Sequence, residues 1–101
     1  MRDFKLFGPN EEYYGVQIEF HASLSWREIF IDKLNNGKWS MDILVCGEYV
    51  KDIIFDTLDE VIDSLVNTWY MDKSKIDEVR KECEKITNLI SVSEKPAISK
   101  E

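Results

Sequence analysis

The sequence predicts an α+β domain in which an antiparallel β-meander of four to five strands is followed by two α-helices, at least the first packed on the sheet. Three observations predict it. Apolar side chains alternate with polar ones through most of residues 4–55, and from Leu58 they recur at spacings of three and four. Short runs with Gly and Asn punctuate the alternating half, where hairpins need positive φ. The 101 residues are 44% hydrophobic and 12% aromatic, enough apolar side chain for one core without metals or disulfides. A single domain is therefore expected over residues 1–90. Residues 91–101 are expected to be a disordered tail, because they carry Pro96 and several Ser, Lys and Glu and offer no stripe to bury.

Phe4 and Leu6 alternate with Asp3 and Lys5 ahead of Gly8-Pro9-Asn10, the pattern of a short strand ending in a turn. Tyr14, Val16, Ile18 and Phe20 then share one face while Gly15, Gln17, Glu19 and His21 share the other, which makes a strand with one wet face. After the connection Ala22 to Ser25, the stretch Trp26 to Leu34 carries apolar side chains on both faces and reads as a central strand. Asn35-Asn36-Gly37 reverses the chain into Lys38 to Cys46, with Trp39, Met41, Ile43 and Val45 on one side. Gly47 and Glu48 read as the next turn, and Tyr49 to Phe55 as a strand with Tyr49, Ile53 and Phe55 on one face.

Thr57-Leu58-Asp59-Glu60 has the form of a capping box, in which the Thr hydroxyl and the Glu carboxylate each satisfy an orphan backbone N–H. Leu58, Val61, Ile62, Leu65, Val66 and Trp69 follow as one apolar stripe that must pack on the sheet. Asp72 or Ser74 can cap a second helix with the narrower stripe Ile76, Val79, Cys83, Ile86 and Ile90. Charge pairs expected along that helix are Asp77 with Lys81 and Arg80 with Glu84.

Thirteen basic against twenty acidic residues give a formal net charge of −7. Such a field repels phosphate backbones and anionic lipid, so neither direct nucleic-acid binding nor membrane binding is expected; it accelerates encounter with a basic protein. No apolar run approaches the roughly 20 residues that cross a bilayer, and Met1-Arg2-Asp3-Phe4 does not open a signal peptide, so a cytoplasmic location is expected. Cys46 and Cys83 stand alone in unrelated segments and read as two reduced thiols.

No constellation for catalysis or cofactor binding emerges. His21 is the one histidine, and no second cysteine stands at ligand spacing, so neither a metal nor a cofactor is expected. His21 with Ser23 and Ser25 would be the only base and nucleophile pairing, and any orienting acid would have to come from elsewhere. The glycines are scattered, with no phosphate-cradling loop. Acidic residues are more informative. Between Asp56 and Asp72 there is no Lys or Arg, and Asp59, Glu60, Asp63 and Asn67 fall on the first helix opposite its apolar stripe. These four are the candidate partner-binding residues; the competing reading is a solvated helix face whose acids suit the N-terminal dipole.

In organisation, with one compact α+β domain, the acid-only stretch Asp56 to Asp72 and no chemistry of its own, the chain resembles the small acidic immunity proteins of contact-dependent inhibition and related polymorphic toxin systems. The resemblance implies a non-enzymatic, protein-binding inhibitor that neutralises a cognate bacterial toxin, such as a basic nuclease domain, and it designates no residue. A phage-encoded inhibitor such as an anti-CRISPR protein that imitates nucleic acid fits the same charge. A small enzyme of unfamiliar type built on His21 is the reading from a different class.

Overall fold

The structure, a computed structural model, describes residues 2–10, 14–22 and 24–99, with side chains described through residue 89. The expected tail over residues 91–101 lies outside the described side chains. Five strands come first: β1 (Arg2–Phe7), β2 (Gly15–Ala22), β3 (Ser25–Lys33), β4 (Trp39–Val45) and β5 (Glu48–Phe55). They pair in chain order as one antiparallel sheet, β1-β2-β3-β4-β5. Two helices follow, α1 (Leu58–Asn67) and α2 (Ile76–Ser99), the second entered through a 3₁₀ turn at Lys73–Lys75. α2 lies over β2 and β3, and α1 over β4 and β5, so both helices cover the same face of the sheet.

The alternation in the sequence decides which face that is. Val16, Ile18 and Phe20 of β2 are fully buried beside Ile29 and Ile31 of β3 and Met41 and Ile43 of β4. The helices close the layer with Val61, Ile62 and Leu65 from α1 and Val79, Cys83 and Ile86 from α2. Each fully buried aliphatic of this kind contributes about 1.5–3 kcal/mol of transfer free energy, which makes the layer the main source of stability. Trp69 packs against the same cluster but is only partly buried.

Turn chemistry sets the register. Gly37, at φ +88°, ends a hairpin loop in which its amide donates to the Leu34 carbonyl at 3.0 Å. The next hairpin turns one residue earlier than its Gly-Glu pair suggests: Cys46 and Gly47 both have positive φ (52° and 82°), and Glu48 already belongs to β5. Positive φ at both central residues is the geometry of a type I′ turn, whose twist matches the strands it joins.

A bulge in β5 also corrects the expected face of Tyr49. Ile43 stands opposite Lys51 but Leu44 opposite Tyr49, so Val50 is an extra residue on β5. An inserted residue inverts the alternation beyond it. Ile53 and Phe55 pack on the core, whereas Tyr49 joins Leu44 on the helix-free face and is 60% exposed.

α1 starts on the capping box as the sequence implies. The Thr57 hydroxyl accepts from the Glu60 amide at 3.3 Å, and the Thr57 amide donates to Glu60 Oε1 at 3.2 Å. Asp72 caps the 3₁₀ turn rather than α2 itself, accepting from the Ser74 amide at 2.9 Å. These bonds to the charged form hold the Asp72 carboxyl below its usual value. Arg80 does not pair with Glu84 but crosses to Asp59 of α1 at 2.7 Å. The contact between helices replaces one along a helix.

Candidate functional site

The four residues chosen from the sequence lie on one exposed side of α1, and the fold treats them unequally. Asp59 is held by Arg80, and Glu60 is occupied by the capping box. Lys38 reaches Asp56 at 3.2 Å, so the segment that is acid-only along the chain is partly neutralised in space. Asp63 and Asn67 remain available. With Lys73 and Asp77 they border a shallow cleft of ≈ 380 Å³ that is also lined by Ile62, Val66 and Ile76.

A second surface spans four strands. The sheet face opposite the helices carries Gln17, Glu19 and His21 from β2, Trp26, Glu28, Phe30 and Asp32 from β3, Ser40, Asp42 and Leu44 from β4, and Tyr49, Asp52 and Ile54 from β5. No helix covers it. Glu19 stands directly opposite Glu28, and Asp42 directly opposite Asp52. Like charges opposed across strands destabilise a sheet. Among the described residues no ion pair involves any of these four carboxylates. Glu19 accepts a hydrogen bond from Gln17 at 2.6 Å.

Basic residues of the same strands go to the other face. Register places Arg27 beside Phe20 and Val45, and Lys33 beside Trp39, on the helix side. There Arg27 Nη1 donates to the Trp69 carbonyl at 2.8 Å, and Lys33 Nζ donates to Thr87 Oγ1 at 3.1 Å while lying 5.1 Å from the Trp39 ring centre. Both cations are thus used to fasten the helical layer.

The local field is visible in Tyr49. Its phenol titrates above the ordinary value through partial desolvation, then through its hydrogen bond to Asp52 and the charges of Asp52 and Asp42. Because Tyr49 is 60% exposed, the two carboxylates are the causes specific to this surface.

No known protein family, curated protein or solved structure matches this chain. His21 belongs to the open face, where Nδ1 lies 3.1 Å from Asp3 Oδ2 and the ring lies 4.6 Å from Trp26, centre to centre. Ser25 pairs with Ala22 on the helix side, its hydroxyl donating to the Ala22 carbonyl at 3.0 Å, so His21 and Ser25 do not face one another. Ser23 lies outside the described residues. Among the described residues no three of His, Cys, Asp or Glu converge as a metal site requires, and no helix is long and apolar enough to cross a membrane. Cys46 is exposed and Cys83 buried, neither in a disulfide.

The sequence places Gln17 and Glu19 on a wet sheet face, an alternative surface for a partner, but it does not show that the acids of this face meet, because they are far apart in the chain. Glu19, Glu28, Asp42 and Asp52 each look like an ordinary wet position of an alternating strand. Only pairing of the strands sets them side by side. The usable signal was that β3 to β5 repeat a carboxylate on the wet parity, whereas their basic residues, Arg27, Lys33 and Lys51, take the other parity.

Proposed function

We propose that this chain is a protein-binding inhibitor, an immunity protein that neutralises a cognate bacterial toxin with a basic surface, such as a nuclease domain, in the cytoplasm and without catalysis of its own. The observation that carries the reading is carboxylate in excess over cation on the open sheet face, with Asp42 and Asp52 opposed across β4 and β5 and in no ion pair among the described residues, which complements a basic partner and speeds its encounter. Asp63 and Asn67, beside Asp59 and Glu60 on α1, are contact residues in this reading, with the first two the more available.

The test uses the full chain as bait in its native host, followed by expression of the captured protein in a bacterium with and without the chain. A basic protein that arrests growth alone and is tolerated with the chain is the expected result. Its association rate should fall as salt rises, because screening shortens from about 10 Å at roughly 0.1 M ionic strength. A captured protein that is not toxic, or whose toxicity the chain does not relieve, overturns the inhibitor reading.

A further inference from the structure

Resting on the inhibitor reading, we infer that the docking surface is the helix-free face of the sheet and that its occupant is an arginine-bearing face of the basic partner protein. Three independent features of this face converge. First, its carboxylates are set against one another, Glu19 against Glu28 and Asp42 against Asp52; Lys5 of β1 stands opposite Glu19 from the other side, whereas no strand cation stands opposite Asp42 or Asp52. Second, the chain has cations in the same strands but spends them elsewhere, with Arg27 and Lys33 turned to the helix side. On the open face of β2 to β5 the charge is left one-signed.

Third, apolar and aromatic side chains are interleaved with the acids. Tyr49 is 60% and Ile54 63% exposed, and Trp26, Phe30 and Leu44 are partly exposed on the same side. A surface meant only for water has no use for that mixture. It suits a guanidinium, which is planar, forms two parallel hydrogen bonds to a carboxylate and stacks on an aromatic ring; an ammonium does neither. One guanidinium set between Glu19 and Glu28, and another between Asp42 and Asp52, would convert both repulsions into attraction while Tyr49, Phe30 and Trp26 receive the flat faces. The α1 surface offers less, because Asp59 and Glu60 already have partners within the fold.

The probe is octa-arginine, titrated into the isotope-labelled full chain and followed by amide chemical shifts, with octa-lysine as comparator. The largest shifts are expected at Glu19, Glu28, Asp42, Tyr49 and Asp52, with tighter binding of octa-arginine than of octa-lysine. Glu28→Gln combined with Asp42→Asn should weaken octa-arginine binding about fivefold, the scale of two exposed charge pairs, whereas Glu78→Gln, at an exposed position of α2, should not weaken it. An unchanged unfolding midpoint or a raised one shows that the double variant is folded. Shifts centred on α1, no saturable shift, equal affinity for the two peptides, or a double variant that binds like the parent each overturn the assignment. The two readings fail separately: shifts on the sheet without rescue of growth reject the inhibitor and keep the surface, and rescue with shifts on α1 does the reverse.

Discussion

Relieving the opposed carboxylates should make the protein more stable. In the variant Glu28→Gln/Asp42→Asn, each substitution removes one charge from a pair that the sheet register holds directly across two strands. Opposed Cβ atoms lie about 5 Å apart, so carboxylate centres that splay outward are separated by roughly 6 Å. Coulomb repulsion at that distance is about 0.7 kcal/mol in bulk water and about twice that at an effective dielectric near 40. Lys5, paired with Glu19 from the other side, offsets part of the first repulsion. About 0.5–1 kcal/mol per pair is a fair expectation, and about 1–2 kcal/mol for the double variant. Urea unfolding followed by far-ultraviolet circular dichroism at about 0.01 M and at 1 M salt is the assay, because the screening length falls from about 30 Å to about 3 Å between them. The gain should be present at low salt and largely gone at high salt, with an unchanged m-value. A midpoint that does not rise at low salt, or a gain that survives 1 M salt, would refute the account of these pairs as repulsive.

Other outcomes follow from the core, the thiols and the tight turn. Leu65 is fully buried where α1 meets the sheet, so Leu65→Ala should lower stability by about 2–5 kcal/mol, read as a fall in the urea midpoint; an unchanged midpoint rejects the packing. Burial pushes the Cys83 thiol from an ordinary 9.0 up to about 12, so alkylation of the native protein at mild pH should mark Cys46 alone, and denaturation should release two thiols in all. The same shift has a sign in stability: the folded form keeps the Cys83 proton after the unfolded form loses it, so stability present below pH 9.0 is lost at about 1.4 kcal/mol per unit as pH rises toward about 12, a slope that Cys83→Ala should remove. Cys46 sits at φ 52°, a conformation that costs most L-residues about 1–2 kcal/mol and asparagine less, so Cys46→Asn should raise the unfolding midpoint. A lowered midpoint would show that the Cys46 thiol makes a contact that matters more than the turn.

The sequence by itself determined the architecture, because hydrophobic period and turn chemistry are local properties that each segment expresses without help. Val16, Ile18 and Phe20 had to share a buried face, and Thr57 with Glu60 had to start a helix whose stripe includes Val61 and Leu65. Tertiary structure alone decided where the register shifts. One bulge residue, Val50, carries Tyr49 to the opposite face from Ile53 and Phe55, an inversion that no period of two can announce. It also decided which charges meet. Arg80 takes Asp59 from a helix 21 residues along the chain, Lys38 takes Asp56, and four strand carboxylates that are strangers in sequence become two opposed pairs. Electrostatic energy depends on distance in space, and along a folded chain that distance is set by which strands pair and which helix face lies down on them.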